Sequence, residues 1–201
     1  MKLVLASNNA KKLGELQALF APLGLNLVTQ GSLGIAEAEE PHVTFVENAL
    51  AKARHAALAS GGAAIADDSG LCVDALGGAP GVQSARYATL FGGPRDDEAN
   101  NDTLLRKLAG IGDRRARFVS ALVAVRRAED PEPLIAFGRW DGEVLAARQG
   151  SGGFGYDPLM FIPTLGRTVA ELAPAEKNAH SHRAIAARQM LVLMREVWHL
   201  G

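Results

Sequence analysis

Asp67 and Asp68 stand side by side at the end of a small apolar run, Ala63-Ala64-Ile65-Ala66, and are followed by Ser69 and Gly70. Two adjacent carboxylates repel each other unless a proton or a cation relieves them. A hard divalent cation such as Mg²⁺ takes oxygen ligands of this kind and usually shares them with substrate phosphates. Asp-Asp-Ser-Gly is equally ordinary turn chemistry, so these four residues alone leave turn and site both open. Nearby, Glu37, Glu39 and Glu40 form an acidic run. Such runs normally face solvent, but one member turned inward would share a cation with the aspartates.

Two lysines are candidate partners for a polyphosphate. Lys12 closes the polar stretch Ser7-Asn8-Asn9-Ala10-Lys11, where Ser or Asn caps a helix whose first amides attract anions. No run of glycines precedes Lys12, which excludes a Walker loop. A capped helix with surface lysines fits the same residues. Lys52 lies four residues after Asn48 and so on the same helical face, suited to phosphate oxygens or to plain exposure. Arg86 is a further cation of the same kind.

A flat ligand has its own candidate stretch, Gly152-Gly153-Phe154-Gly155-Tyr156-Asp157-Pro158. Glycines beside an aromatic let backbone approach closely, and Phe154 offers a face on which a base can stack; a purely structural loop also uses Gly and Pro, but rarely with two aromatics and an acid within seven residues. Asp157 is placed to accept hydrogen bonds from a ring edge. Near the C-terminus, Lys177, Ser181, His182 and Arg183 cluster in sequence, with Arg183 suited to donate to a carbonyl or phosphate. His180 and His182 are two apart, and residues at that spacing on one helix do not face together, which argues against a zinc pair.

The elements that must hold these groups follow from periodicity. Lys2 to Ala6 predicts a first strand, and Leu13, Leu16, Leu19 and Phe20 a helix behind it. Leu25 to Val28 predicts a second strand. Thr44 with Glu47 three residues on predicts a helix start, running to about Ser60. Ala63 to Ala66 predicts a strand buried on both faces. Asp is disfavoured within strands, so the strand should end at Asp67-Asp68, the usual ligand position in open α/β sheets. Asp96 to Leu108 predicts an amphipathic helix with Leu104, Leu105 and Leu108 inward. Residues 117–127 and 134–140 predict an antiparallel hairpin around a Pro-bearing turn. One helix is expected over 174–200, with Ile185, Met190, Leu193 and Val197 inward.

Bulk properties narrow the class. The 201 residues are 48% hydrophobic, enough for one large domain or one domain of two lobes. A net charge of −1 argues against wrapping a nucleic-acid backbone or anchoring on a membrane by charge. Cys72 is the one cysteine, so neither a disulfide framework nor a thiolate metal cluster is available. No run is long enough to span a bilayer, and the apolar part of the N-terminus is too short for a signal peptide. A soluble, cytoplasmic protein is the expectation.

Taken in order, the motifs resemble those of the Ham1-type inosine triphosphate pyrophosphatase family, house-cleaning enzymes for non-standard purine nucleotides. The resemblance runs from Leu3 to about Ala186. It is carried by Ser7-Asn8-Asn9 with Lys12, Thr44-Phe45 with Glu47-Asn48-Ala49 and Lys52-Ala53, and Ile65-Ala66-Asp67-Asp68-Ser69-Gly70-Leu71. Gly77-Gly78-Ala79-Pro80-Gly81, Ser84-Ala85-Arg86-Tyr87, Gly153-Phe154-Gly155-Tyr156-Asp157-Pro158 and Ser181-His182-Arg183 complete it. Each motif is weak singly, and the ordered set is specific.

The resemblance implies an α/β fold: a long mixed sheet flanked by helices, with two lobes and a central active-site cleft. It implies a single domain over 1–201 and a homodimer. Its implied reaction is hydrolysis of ITP, dITP and XTP to the monophosphate and pyrophosphate, with a nucleotide as the only partner and Mg²⁺ as cofactor. Glu40 and Asp68 match the metal positions, and Asp68 also matches the proton acceptor for the attacking water. Ser7, Asn8, Asn9, Ala10, Lys11 and Lys12, with Lys52, match the triphosphate site, and Ser69 a substrate-contacting hydroxyl. Phe154, Gly155, Tyr156, Asp157, Lys177, His182 and Arg183 match the base pocket. Asn8 stands where the family often has glycine, Lys11 where a small residue is common, and Pro41 fixes Glu40 in an extended conformation. The related Maf-type pyrophosphatases lack the Phe-Gly-Tyr-Asp-Pro and Ser-His-Arg signatures. A non-catalytic nucleotide sensor would keep the stacking loop and the lysines without needing Glu40 and Asp68.

Overall fold

The computed structural model describes residues 2–200. Its seven-stranded mixed sheet runs in the order β2-β1-β3-β4-β5-β6-β7. The strands are β1 (Lys2–Leu5), β2 (Asn26–Thr29), β3 (Ala64–Val73), β4 (Arg115–Val125), β5 (Leu134–Val144), β6 (Met160–Ile162) and β7 (Arg167–Thr168). Five α-helices accompany them among the described residues: α1 (Ala10–Phe20), α2 (Phe45–Ser60), α3 (Asp97–Lys107), α4 (Pro174–His180) and α5 (His182–Glu196). β1 pairs in parallel with both β2 and β3, whereas β6 is antiparallel to β5 and β7. β4 and β5 are neighbours, and the connection 126–133 is too short for the crossover a parallel pair requires, which makes them the expected hairpin.

The chain divides into two compact units. One comprises Met1–Asp68, Ser120–Gly138 and His182–Gly201, the other Ser69–Val119 and Arg139–Ser181. In the first unit the strand pleat sorts side chains onto two faces. Leu3, Leu5 and Ile65 pack with Leu16 and Phe20 of α1 and Met190 and Met194 of α5. Val4, Ala6, Ala64 and Ala66 pack with Ala49, Ala53, Ala56 and Ala57 of α2. Alanine against alanine lets α2 approach the sheet closely, which accounts for the small residues Ala64 and Ala66. The second unit has its own core, with Leu71, Val73, Leu104, Leu108, Phe118, Trp140 and Met160 at its centre.

Three expectations change. β3 does not stop at Asp67-Asp68 but continues to Val73, because both carboxylates meet buried cations and no longer oppose the extended backbone. The helix expected over 174–200 is two helices. Ser181, with φ −62 and ψ 158, leaves the helical region and ends α4, and α5 itself stops at Glu196. The buried face of α5 is also rotated from the expected one: Arg183, Ala187, Met190 and Met194 point inward, while Ile185, Leu193 and Val197 are only half-buried. The separation of His180 and His182 therefore rests on the break at Ser181, not on spacing along one helix. No helix among the described residues is long and apolar enough to cross a membrane.

Candidate active site

The pleat of β3 decides what the two aspartates do. Successive side chains of a strand point to opposite faces. Asp67 therefore joins Ile65 on the side of α1 and α5, and Asp68 joins Ala66 on the side of α2. Their ion-pair partners differ: Lys12 and Arg183 for Asp67, Lys52 for Asp68.

Asp67 has no exposed side-chain surface and is held by three donors. Lys12 Nζ lies 2.9 Å from Oδ2, Arg183 Nη2 3.2 Å from the same oxygen, and Ser120 Oγ donates to Oδ1 at 2.7 Å. Arg183 is itself buried and also pairs with Glu15 of α1. Burial alone would push the Asp67 carboxyl up. Arg183, Lys12 and the Ser120 hydroxyl outweigh that and hold it well below the usual carboxylate range. Arg183 reaches this position because the start of α5 lies against β5, where Gly138 has no side chain: a Cβ there would collide with the carbonyl oxygen of His182. His182 is buried beside it.

Asp68 faces a different set. Lys52 Nζ bridges Asp68 Oδ1 at 2.8 Å and Glu40 Oε1 at 2.7 Å, and donates to the Asp67 carbonyl at 3.1 Å. Burial raises the Asp68 carboxyl above its ordinary range, Lys52 opposes this, and Glu40 adds to it. For Lys52, burial disfavours the ammonium, but Asp68 and Glu40 prevail and keep it charged. Asn48 supports the arrangement by accepting the His42 N–H at 3.0 Å and donating to the His42 carbonyl at 3.2 Å. It thus ties the segment after Glu40 to α2 and, although it shares a face with Lys52, spends its amide on backbone.

Asp68 Oδ2 is buried and has no hydrogen-bond partner among the described residues. An orphaned carboxylate oxygen is costly unless something binds it. Glu40 and Asp68 together offer the oxygen donors a hard cation prefers, and Mg²⁺ commonly uses one or two carboxylates and completes its shell with water and phosphate. The two residues fit such an ion. A larger set of three or more His, Cys, Asp or Glu does not gather among the described residues.

At the start of α1, Asn9 rather than Ser7 is the N-cap, its Oδ1 accepting from the amides of Lys11 (3.0 Å) and Lys12 (3.1 Å). Ser7 Oγ accepts the Asn9 N–H at 3.1 Å, and Asn8 Nδ2 donates to Glu37 at 3.2 Å. Asn8, Asn9, Ala10 and Lys11 are exposed, so the loop presents its polar groups outward with Lys12 anchored at its base.

The second unit holds the aromatic loop. Asp157 Oδ2 accepts the Phe154 N–H at 2.9 Å and the Lys177 ammonium at 2.8 Å. Lys177 Nζ also stands 4.5 Å from the centre of the Phe154 ring. Gly153 takes φ +73, and a Cβ on it would strike the Asp157 carboxylate, so the turn needs glycine there. The Tyr156 hydroxyl, buried, donates to the Ser84 carbonyl at 2.9 Å. Ser84 Oγ in turn accepts the Leu71 N–H at 2.9 Å. Ser69 begins this unit as the residue after Asp68 on β3, and Arg86 donates from Nε to Gln83 at 2.7 Å.

Within the first unit the structure thus gathers Glu40, Lys52 and Asp68 on one face of β3, with Lys12 on Asp67 at the other, and within the second Phe154, Gly155, Tyr156, Asp157 and Lys177. Arg183 and His182, expected with the base pocket, sit in the first unit, with the Arg183 guanidinium on Asp67 and Glu15. Sequence inspection missed Ser120 and Glu15, neither of which carries a local signal. It placed Asn48 on the face of Lys52 as a candidate for phosphate oxygens, whereas its amide is spent on the His42 backbone.

The sequence and the fold have close counterparts. A family model described as the Ham1 family matches residues 3–193. A dITP/XTP pyrophosphatase of Leptothrix cholodnii is 67% identical over 212 residues, covering 100% of both chains. Its counterpart in Methylibium petroleiphilum is 68% identical over 206 residues, with 98% of this chain and 99% of the other covered. A HAM1 protein of known structure from Coxiella burnetii superposes with a TM-score of 0.90 at 43% identity, covering 98% of this chain and 100% of that one. A structure from Mycobacterium abscessus described as a nucleoside-triphosphatase, dITP/XTP pyrophosphatase, gives 0.74 at 41% identity over 96% of this chain and 98% of its own.

Proposed function

The chain belongs to the Ham1 family, and from that premise we propose that it is a dITP/XTP pyrophosphatase that hydrolyses non-standard purine nucleoside triphosphates to the monophosphate and pyrophosphate. The observation that carries the chemistry is the buried, unpartnered Asp68 Oδ2 beside Glu40 and Lys52. In this proposal Asp68 orients a water and accepts its proton at Oδ2 as the water attacks the α-phosphorus. Lys12 and Lys52 balance the charge of the departing pyrophosphate. The loop of half-buried Ser7 and exposed Asn8, Asn9, Ala10 and Lys11 receives the outer phosphates, and Ser69 contacts the substrate next to Asp68. Mg²⁺, held by Glu40 and Asp68, supplies Lewis-acid polarisation of phosphate oxygens when bound.

Phe154 stacks on the base, with Gly155, Tyr156, Asp157 and Lys177 around it. Hypoxanthine and xanthine carry an acceptor oxygen at position 6 where adenine carries an amino donor. Donors aimed at that position are left unpaired by adenine, and such mismatches support large discrimination. A cytoplasmic homodimer that cleanses the nucleotide pool belongs to the same proposal. The deciding experiment is pyrophosphate release from ITP, dITP, XTP, GTP and ATP with and without Mg²⁺. Mg²⁺-dependent release favouring the first three is expected, and equal rates on all five would reject the selectivity.

A further inference from the structure

Helix α3 carries two side chains that the proposed chemistry does not use. Asp97 and Asn101 are four residues apart and so share one face at the start of the helix. Both reach Gly155, the residue between Phe154 and Tyr156. Asp97 Oδ2 accepts the Gly155 N–H at 2.8 Å, and Asn101 Nδ2 donates to the Gly155 carbonyl at 2.9 Å. Asn101 gives its other amide hydrogen to the Asp97 carbonyl at 2.7 Å. Its Oδ1 is buried and has no partner among the described residues, so the side chain tolerates a costly orphan acceptor while it places two donors.

The consequence falls on Phe154. The peptide before it is fixed by its own N–H on Asp157, and the peptide after it by the Gly155 N–H on Asp97. One carboxylate from the same turn and one from α3 therefore restrain both peptides that flank the aromatic residue. The next turn of contacts reinforces this: Arg148 Nη2 donates to the Glu98 carbonyl at 3.0 Å and to Asp102 Oδ1 at 2.8 Å, so segment 148–155 is fastened to α3 at both ends.

We propose that Asp97 and Asn101 are positioning residues for base recognition, which fix the Phe154 ring and thereby set affinity for the purine but not for the phosphates. The proposal rests on the assignment of the base to Phe154. A stacking platform discriminates only if its ring plane is held, because each degree of freedom frozen on binding costs affinity.

The test compares Asp97→Ala and Asn101→Ala with the conservative Asp97→Asn, which keeps an acceptor oxygen, and with Phe154→Ala. Binding of inosine monophosphate, which has the base, is measured beside that of inorganic tripolyphosphate, which lacks it, together with KM and kcat for ITP. Loss of a charge-assisted hydrogen bond is expected to weaken inosine monophosphate binding and raise KM about tenfold in Asp97→Ala. Tripolyphosphate binding and kcat should stay within about twofold, and Asp97→Asn should recover most of the loss. If Asn101→Ala does not fold, Asp97→Ala, at an exposed position, carries the test. Parallel weakening of tripolyphosphate, or unchanged inosine monophosphate binding in Asp97→Ala while Phe154→Ala loses it, overturns the positioning role. Unchanged binding in Phe154→Ala overturns the base assignment beneath it.

Discussion

Asp67 and Asp68 are neighbours in sequence, but replacing each by asparagine should produce opposite phenotypes. Asp67→Asn removes the charge that compensates Arg183 and Lys12 at a side chain with no exposure. Breaking a buried ion pair from one side typically costs about 3–5 kcal/mol, because the remaining charge stays buried. Glu15 still compensates Arg183 in part, which places the expected loss near the lower end, about 3 kcal/mol. In a chain of this length each kcal/mol lowers the melting temperature by about 2–4 °C, so Asp67→Asn should melt roughly 6–12 °C below wild type. Asp68→Asn keeps an acceptor for Lys52 and relieves the repulsion with Glu40, so its melting temperature should stay within about 2 °C. Its turnover should fall by about 10²–10⁴, the usual range for a lost general base. Thermal melts followed by circular dichroism, paired with pyrophosphate release from ITP, measure both. An Asp67→Asn protein as stable as wild type, or an Asp68→Asn protein with near-normal turnover, would refute the division of labour that the strand pleat imposes.

Asp130 offers a pH test remote from the site. In the β4–β5 turn it accepts the N–H groups of Arg126 at 2.8 Å and Glu132 at 3.1 Å. Burial would raise its carboxyl, but these two N–H groups and the Arg126 charge hold it below the ordinary value of 3.8. A folded-state pKa below the unfolded one means its stabilisation is full above that ordinary value and fades as pH falls through the lower folded one. Asp130→Ala should therefore be less stable than wild type by about 1–3 kcal/mol at pH 7, with the gap closing in urea titrations at progressively more acid pH. A gap that persists at acid pH would contradict it. For the metal site, Lys52→Gln removes the ammonium from between Glu40 and Asp68. Charges 4 Å apart interact by about 4 kcal/mol at an effective dielectric near 20, so Mn²⁺ binding without nucleotide, followed by electron paramagnetic resonance, should tighten at least about tenfold. Unchanged or weaker binding would mean that lysine and metal do not compete for the two carboxylates.

The alternating cores were legible because period and residue size fix them. Leu3, Leu5 and Ile65 against Val4, Ala64 and Ala66 is a two-faced strand pattern that a reader can sort without coordinates. The start of α2 was legible too, since Thr44 accepts the Glu47 amide as the spacing predicts. The course of β3 was not. Asp is a poor strand former on its own, and only the arrival of Lys12, Arg183 and Lys52 from distant parts of the chain makes two consecutive aspartates compatible with a buried ladder. Ser181 misled for the reverse reason, because nothing in its type forbids a helix. The inward position of Arg183 was hidden as well: a helical pattern scored on apolar residues places arginine outside, and Glu15 and Asp67, its partners, lie far from it in sequence.

The same distance effects explain how one dipeptide comes to hold two acids whose carboxyls are shifted in opposite directions. In solution, or in a turn, Asp67 and Asp68 would share an environment and titrate as a coupled pair. The strand separates them onto two faces, and each face supplies a different balance. Arg183 (shared with Glu15), Lys12 and the Ser120 hydroxyl depress Asp67, while burial, with Glu40 beside it, outweighs Lys52 and leaves Asp68 raised. Environments that push neighbouring titratable groups apart are the usual means by which a fold assigns one to structure and the other to proton transfer. The pleat therefore does more than position the acids, because the extension of β3 through residues 67 and 68 is itself the condition for Asp68 to meet Glu40 without also meeting Arg183. A turn at the same place, with the same residues, would bring both carboxylates to the same cations and remove the difference.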